Sequence, residues 1–262
     1  MFLFSLCCLS WILCLSEVSS TPISRGDIVT DQSFPFFVSI ETSDSLLCGG
    51  SIVHSFFAIT AAHCFDKFKG KSSYMIRAGS LRVKSGGSKH TIKNIKRHPL
   101  YNVYTNLNDI AIIHVGDIFV FDTFRSPIKM FHHGEKIKPG TKATIVGAGW
   151  TEKRPSKHLR KASVLIANRD ECTSIWINED GFPIPDSVIC AGVGNNRADT
   201  CKDDSGGPLI IDGRLAGITS FGYHTCGTPG IPSLYTEVAQ FEPWINRGIG
   251  HMSKTSRRSI SP

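Results

Sequence analysis

Residues 199–208 read DTCKDDSGGP. A serine set between an acid and two glycines suits a tight turn that presents a hydroxyl, because glycine accepts backbone angles closed to other residues. Asp203, two places before Ser205, occupies a position where such a turn favours glycine. Whether Ser205 works as a nucleophile depends on what the rest of the chain supplies.

Two other segments supply the missing parts. ITAAHC puts His63 beside Cys64, and NDIAIIHV puts Asp109 at the mouth of an apolar strand. A serine hydroxyl is a poor nucleophile at neutral pH and needs a base such as imidazole within hydrogen-bond reach. The imidazole in turn needs a buried carboxylate to fix its tautomer. Each motif alone has a structural explanation: a histidine beside a cysteine, an aspartate capping a strand, a glycine-rich loop. Their joint occurrence in the order His, Asp, Ser points to acyl transfer.

The chain has 262 residues, enough for one large core or two joined halves, and an ordinary composition that excludes disordered and fibrous classes. Short β-type runs recur at 36–41, 51–59, 74–78, 110–115, 143–146 and 214–220, separated by Gly, Ser, Pro and Asn clusters. They predict an all-β sandwich or barrel. Val238, Phe241, Trp244 and Ile245 fall at helical spacing, with Gly248 as the expected stop. Residues 251–262, HMSKTSRRSISP, read as a disordered basic tail. Residues 2–15, FLFSLCCLSWILCL, are apolar but short for a membrane span, and small residues follow, so residues 1–20 read as a secretory signal peptide. The product is then secreted and extracellular, with no membrane attachment. Removing the leader leaves Cys48, Cys64, Cys172, Cys190, Cys201 and Cys226, an even set that suits disulfides and permits fifteen pairings.

The formal net charge is +7. It is unevenly placed: residues 76–106 hold Arg77, Arg82, Lys84, Lys89, Lys93, Lys96 and Arg97 and no acid. Such a run is a solvated face or, if the side chains converge, a polyanion site over 77–97.

With FPFFVSI, LLCGGSIV, ITAAHC, NDIAII, Gly149-Trp150, VICAG, DTCKDDSGGP, ITSFG and SLYTEV in one chain, residues 23–250 resemble the trypsin and chymotrypsin family of secreted serine proteases. The resemblance implies two packed antiparallel β-barrels with a C-terminal helix. Catalytic His63 and Asp109 would come from the first barrel and Ser205 from the second. It also implies the bridges Cys48–Cys64, Cys172–Cys190 and Cys201–Cys226, each worth about 2–5 kcal/mol. The backbone N–H groups of Asp203 and Ser205 would form the oxyanion hole.

Asp199 would lie at the base of the specificity pocket as a buried, unpaired carboxylate selecting Lys or Arg, with Ser220, Gly222 and Ser233 also on the substrate side. Ser233 stands where trypsin-like members usually carry glycine, so it narrows the slot more for arginine than for lysine. Acids needed for a calcium loop are missing from 76–106, so no metal or cofactor is expected. The expected partner is a protein or peptide substrate, and the expected state a monomer.

The family's activation has an Ile or Val amine fold inward to pair with the acid before the serine, here Asp204. Ile28-Val29 is too close to Pro35 to reach it, whereas Ile23, opening ISRG, lies at the required distance. Residues 21–22, Thr-Pro, are then an activation dipeptide whose removal turns a zymogen into an enzyme. The expected activity is endopeptidase cleavage after Lys or Arg. Asp203 and Ser233 sustain an alternative, a weakly active or non-catalytic homologue acting as a binding or regulatory module.

Overall fold

The computed structural model describes residues 23, 26–67, 69–151, 154–181, 183–192 and 199–258; the predicted leader and activation dipeptide lie outside the described residues. Strand β1 (Asp27–Ile28) belongs to the second half of the molecule. β2 (Phe37–Glu41), β3 (Leu46–His54), β4 (Phe57–Thr60), β5 (Met75–Ala78), β6 (Ser88–Arg97) and β7 (Ala111–Val115) close into an antiparallel barrel in the order β2-β3-β4-β7-β6-β5. The run at 51–59 is two strands. It breaks at Ser55–Phe56, where His54 Nδ1 accepts from the Phe56 N–H at 3.3 Å and turns the chain back on itself. β4 and β7 are buried along their whole length, which is why FAIT and AIIHV read as continuous apolar runs. Val38, Ile40, Ile52, Ile59 and Ile112 fill this barrel.

The second half contains β8 (Lys129–Met130), β9 (Lys142–Gly147), β10 (Arg160–Leu165), β11 (Val188–Ala191), β12 (Pro208–Ile211), β13 (Arg214–Phe221) and β14 (Ser233–Glu237). Their order is β1-β10-β9-β12-β13-β14-β11, with β8 parallel to β13. The ends meet through an isolated bridge, Ile166 to Ala191, flanked by Ala167 N–H to Cys190 O at 2.9 Å and Gly192 N–H to Leu165 O at 3.1 Å. That bridge brings the end of β10 against β11 and leaves β1 as an edge strand on β10. Ile23, Ile145, Leu209, Ala216 and Tyr235 form the core of this half. The three bridges pair Cys48–Cys64, Cys172–Cys190 and Cys201–Cys226, as the resemblance implied.

Helix α1 (Arg169–Asp180) starts on Asn168, whose side chain accepts from the N–H groups of Asp170 and Glu171, and ends on Gly181 at φ 69°. Helix α2 (Val238–Arg258) departs from expectation. Gly248 does not end it, and the predicted disordered tail is helical as far as Arg258, with Met252 buried. A Cβ on Gly248 would approach Ile112 Cδ1 to 2.5 Å, so glycine is there for close packing on β7. Pro243 is tolerated inside the helix because the carbonyl it leaves without an N–H, that of Ala239, accepts from His133 Nδ1 at 3.3 Å.

Candidate active site

Asp109 precedes β7 and is fully buried. Its Oδ2 receives His63 Nδ1 at 2.6 Å and Ser220 Oγ at 2.6 Å, and its Oδ1 receives the His63 N–H at 2.9 Å. Thr236 Oγ1 donates to its backbone carbonyl at 2.9 Å. The carboxylate thus takes donors from both halves of the molecule, Ser220 and Thr236 belonging to β13 and β14. Burial pushes the His63 pKa down, but the hydrogen bond and charge of Asp109 outweigh it and hold the imidazole above its ordinary value.

The Ser205 turn is locked against the first barrel by Gly49 N–H, which donates to the Ser205 carbonyl at 2.7 Å. Gly49 follows Cys48, whose bridge partner Cys64 follows His63, so a short covalent path from the histidine, completed by that hydrogen bond, holds the serine turn in register with it. A Cβ on Gly206 would come within 2.1 Å of Thr60 Oγ1 and 2.5 Å of Gly49 O, so no larger residue lets the two barrels approach this closely.

Along the turn the N–H groups of Asp204, Gly206 and Gly207 are tied to the carbonyls of Cys201, Thr219 and Asp204. Those of Asp203 and Ser205 have no hydrogen-bond partner among the described residues. Asp203 holds φ at 68°, the left-handed conformation glycine would take, which aspartate tolerates better than most residues. Burial raises the Asp203 pKa, offset in part by Lys202 and by a hydrogen bond from the Trp150 side chain. Lys202 Nζ lies 4.8 Å from the centre of the Trp150 ring, so the three side chains form one cluster.

Asp199 is buried but not unpaired, which corrects the expectation. Its Oδ1 accepts from Thr200 N–H at 2.8 Å and Ser233 Oγ at 2.5 Å, and its Oδ2 from Gly227 N–H at 3.2 Å. Thr200 Oγ1 donates onward to Ser233 Oγ at 3.2 Å. Burial nevertheless raises the Asp199 pKa, because none of these donors carries a positive charge. A Cβ on Gly222 would sit 3.0 Å from Ser233 Oγ, so that hydroxyl lies between the Gly222 wall and the carboxylate.

The β13–β14 register shifts between Thr219 and Phe221, and Ser220, the residue at the irregularity, sends its hydroxyl to Asp109. Sequence reasoning missed the neighbouring apolar pocket of about 320 Å³, lined by Ser220, Phe221, Trp176, Tyr104 and Leu107. The aromatic after Ser220 is its one local sign in the sequence.

Asp204 is fully buried and carries no charge partner among the described residues: Oδ1 accepts from Gly149 N–H at 2.8 Å and Oδ2 from Cys201 N–H at 3.0 Å. Burial, with Asp203 and Asp199 nearby, pushes its pKa to about 7 despite those two donors. Ile23 is buried in the second core, whereas Ile28, on the edge strand β1, is exposed.

Two barrels meeting at a buried Asp–His pair and a glycine-locked serine turn define a serine-protease site of the chymotrypsin type. The chain belongs to the trypsin family, whose profile matches residues 23–245. It is 36% identical over 221 residues to trypsin epsilon of Drosophila erecta, covering 82% of this chain and 83% of that one. It is 35% identical over 229 residues to trypsin delta of Drosophila melanogaster (85% and 87% covered) and 32% identical over 235 residues to trypsin 5G1 of Aedes aegypti (88% and 86%). Among solved structures it is similar to neuropsin, a serine protease expressed in the limbic system of mouse brain, at TM-score 0.77 and 29% identity, over 86% of this chain and 98% of that one.

Proposed function

We propose that the chain is a secreted endopeptidase that cleaves peptide bonds after Lys or Arg through an acyl-enzyme. The observation that carries this reading is the buried Asp109 carboxylate divided between His63 and Ser220. In the proposed reaction Ser205 Oγ attacks the scissile carbonyl carbon while His63 Nε2 takes its proton. Asp109 stabilises the imidazolium, and the free N–H groups of Asp203 and Ser205 receive the oxyanion. Collapse breaks the C–N bond, with His63 returning the proton to the leaving amine. Water then repeats the sequence on the ester and frees the acid.

Asp199 supports the preference for a basic residue, since a buried carboxylate with only neutral donors gains most from a cation. The hydroxyl of Ser233 favours the slim lysine stem over the broad guanidinium. Secretion rests on the apolar leader at 1–20 and on three disulfides, which persist in oxidising compartments. Among the described residues no helix is long and apolar enough to cross a membrane. The buried Ile23 and the uncompensated Asp204 support a zymogen in which removal of residues 21–22 frees an Ile23 amine for that carboxylate.

The competing reading, a non-catalytic binding module, draws on the Ser233 cap over Asp199. Hydrolysis of lysine, arginine, aromatic and small-residue amides by the chain starting at Ile23 separates the two. The enzyme cleaves the basic amides and loses this with Ser205→Ala or His63→Ala. A chain that gives no burst with an active-site acylating reagent, even after Asp203→Gly, is a binding module.

A further inference from the structure

The seven basic residues of 77–97 do not share one face. Arg77 is buried and grips Glu41 with Nε at 2.9 Å and Nη2 at 3.0 Å. Arg97 pairs with Asp66 at 3.1 Å, and Lys96 lies 5.9 Å from the centre of the Trp244 ring. Lys84 and Lys89 instead join two lysines from another segment, Lys67 and Lys69, along a groove of about 790 Å³.

All four lysines are exposed. One wall of the groove is the β2–β3 turn, to which Lys84 is anchored by Nζ donating to Ser43 O at 2.6 Å. Glu41 also lines it, but its charge is matched by Arg77, and its remaining lone pairs take Ser39 Oγ at 2.9 Å and Lys84 N–H at 3.2 Å. Asp44 is then the one uncompensated acid facing four lysines among the described lining residues. Focusing of potential by a concave wall strengthens such an excess beyond that of scattered surface charges.

The groove reaches the neighbourhood of His63. Leu47 and Cys64 line it, the second next in sequence to His63 and bridged to Cys48. It is built wholly from the first barrel, whereas Asp199, Ser233 and Phe221 belong to the second half. In the proposed reaction His63 protonates the leaving amine, so the chain leaving with that amine passes its side of the cleft.

We infer that this groove holds an acidic segment of the protein substrate, C-terminal to the scissile bond, so that the favoured substrate places Asp and Glu residues shortly after its Lys or Arg. The inference rests on the protease reading. It adds a second specificity determinant, Lys67, Lys69, Lys84 and Lys89, to the Asp199 slot.

The test compares two peptides with the same lysine before the scissile bond and either glutamates or glutamines after it, together with a small lysine amide that has no leaving peptide. The glutamate peptide is expected to show kcat/KM about tenfold above its glutamine twin at low salt, a gap that closes in about 1 M salt where the Debye length is about 3 Å. Replacing the four lysines with glutamine removes the gap and leaves small-amide hydrolysis unchanged. Hydrolysis of the small amide without discrimination between the peptides overturns the inference and spares the protease reading.

If the small amide is not hydrolysed at all, fluorescence anisotropy of the labelled glutamate peptide on the Ser205→Ala chain judges the groove alone. Binding that is salt-sensitive and lost in the four-lysine variant supports it, and equal binding by that variant overturns it. Heparin retention that depends on the four lysines, with no peptide discrimination, assigns the groove to a sulfated glycan and also overturns it.

Discussion

Ser233 Oγ donates to Asp199 Oδ1 at 2.5 Å, and the two residues lie 34 positions apart in the chain. This contact gives the slot's carboxylate a neutral partner and occupies part of the space beside Gly222. Ser233→Gly is therefore expected to raise kcat/KM for arginine amides relative to lysine amides by about tenfold, the scale of one small group in a shaped pocket. Steady-state kinetics on the matched pair of amides checks it; an unchanged ratio assigns Ser233 no role in the choice.

Trp150 and Asp203 are expected to act as a unit. The Asp203 carboxylate takes a hydrogen bond from the Trp150 side chain while its backbone keeps the left-handed conformation. Trp150→Phe releases the carboxylate toward the developing oxyanion and is expected to lower kcat by up to about 100-fold, approaching loss of one oxyanion donor. In an Asp203→Gly background the same change is expected to do little. A double-mutant cycle on kcat measures the coupling, and additive effects dissociate the two residues.

The acid limb of activity reports His63. The base must be neutral to accept a proton, and Asp109 holds the imidazole pKa above its ordinary value. Activity is therefore expected to rise with pH through a midpoint above about 6.5. Asp109→Asn is expected to cut kcat by about 10⁴-fold, the loss found for such a carboxylate in a Ser-His-Asp site, and to move that midpoint down. A pH profile of kcat/KM for both chains reads both effects.

Asp204 ties stability to pH while residues still precede Ile23. Its folded pKa is about 7 against an ordinary 3.8, so between those values the folded chain keeps a proton that the unfolded chain has lost. Stability from this group is complete below about pH 4 and declines as pH rises to about 7, by an amount on the order of 4 kcal/mol. Denaturant titrations from pH 4 to 8 are expected to show the decline in the longer chain. Asp204→Asn is expected to remove it, and so is starting the chain at Ile23, because in the proposed activation the freed ammonium favours the ionised carboxylate. A decline that survives Asp204→Asn belongs to other buried acids.

Much of the molecule was legible in the sequence because its determinants are local. Apolar runs of strand length, the glycine pair after Ser205 and the order of His63, Asp109 and Ser205 all survive as text, and resemblance supplied the disulfide pairing that six cysteines alone leave open. Contacts that depend on where another strand's backbone lies were not legible. The Ser220 hydroxyl reaches Asp109 through an irregularity in β13, and Gly248 serves a neighbouring isoleucine where local reading made it a helix stop. One turn of a hairpin was hidden inside the β-type run at 51–59. The basic stretch read as a single feature, yet barrel closure turns Arg77 inward to Glu41 and brings Lys67 and Lys69 beside Lys84 and Lys89. Alternation along one strand predicts which side chains share a face, but only closure of the barrel decides what each face meets.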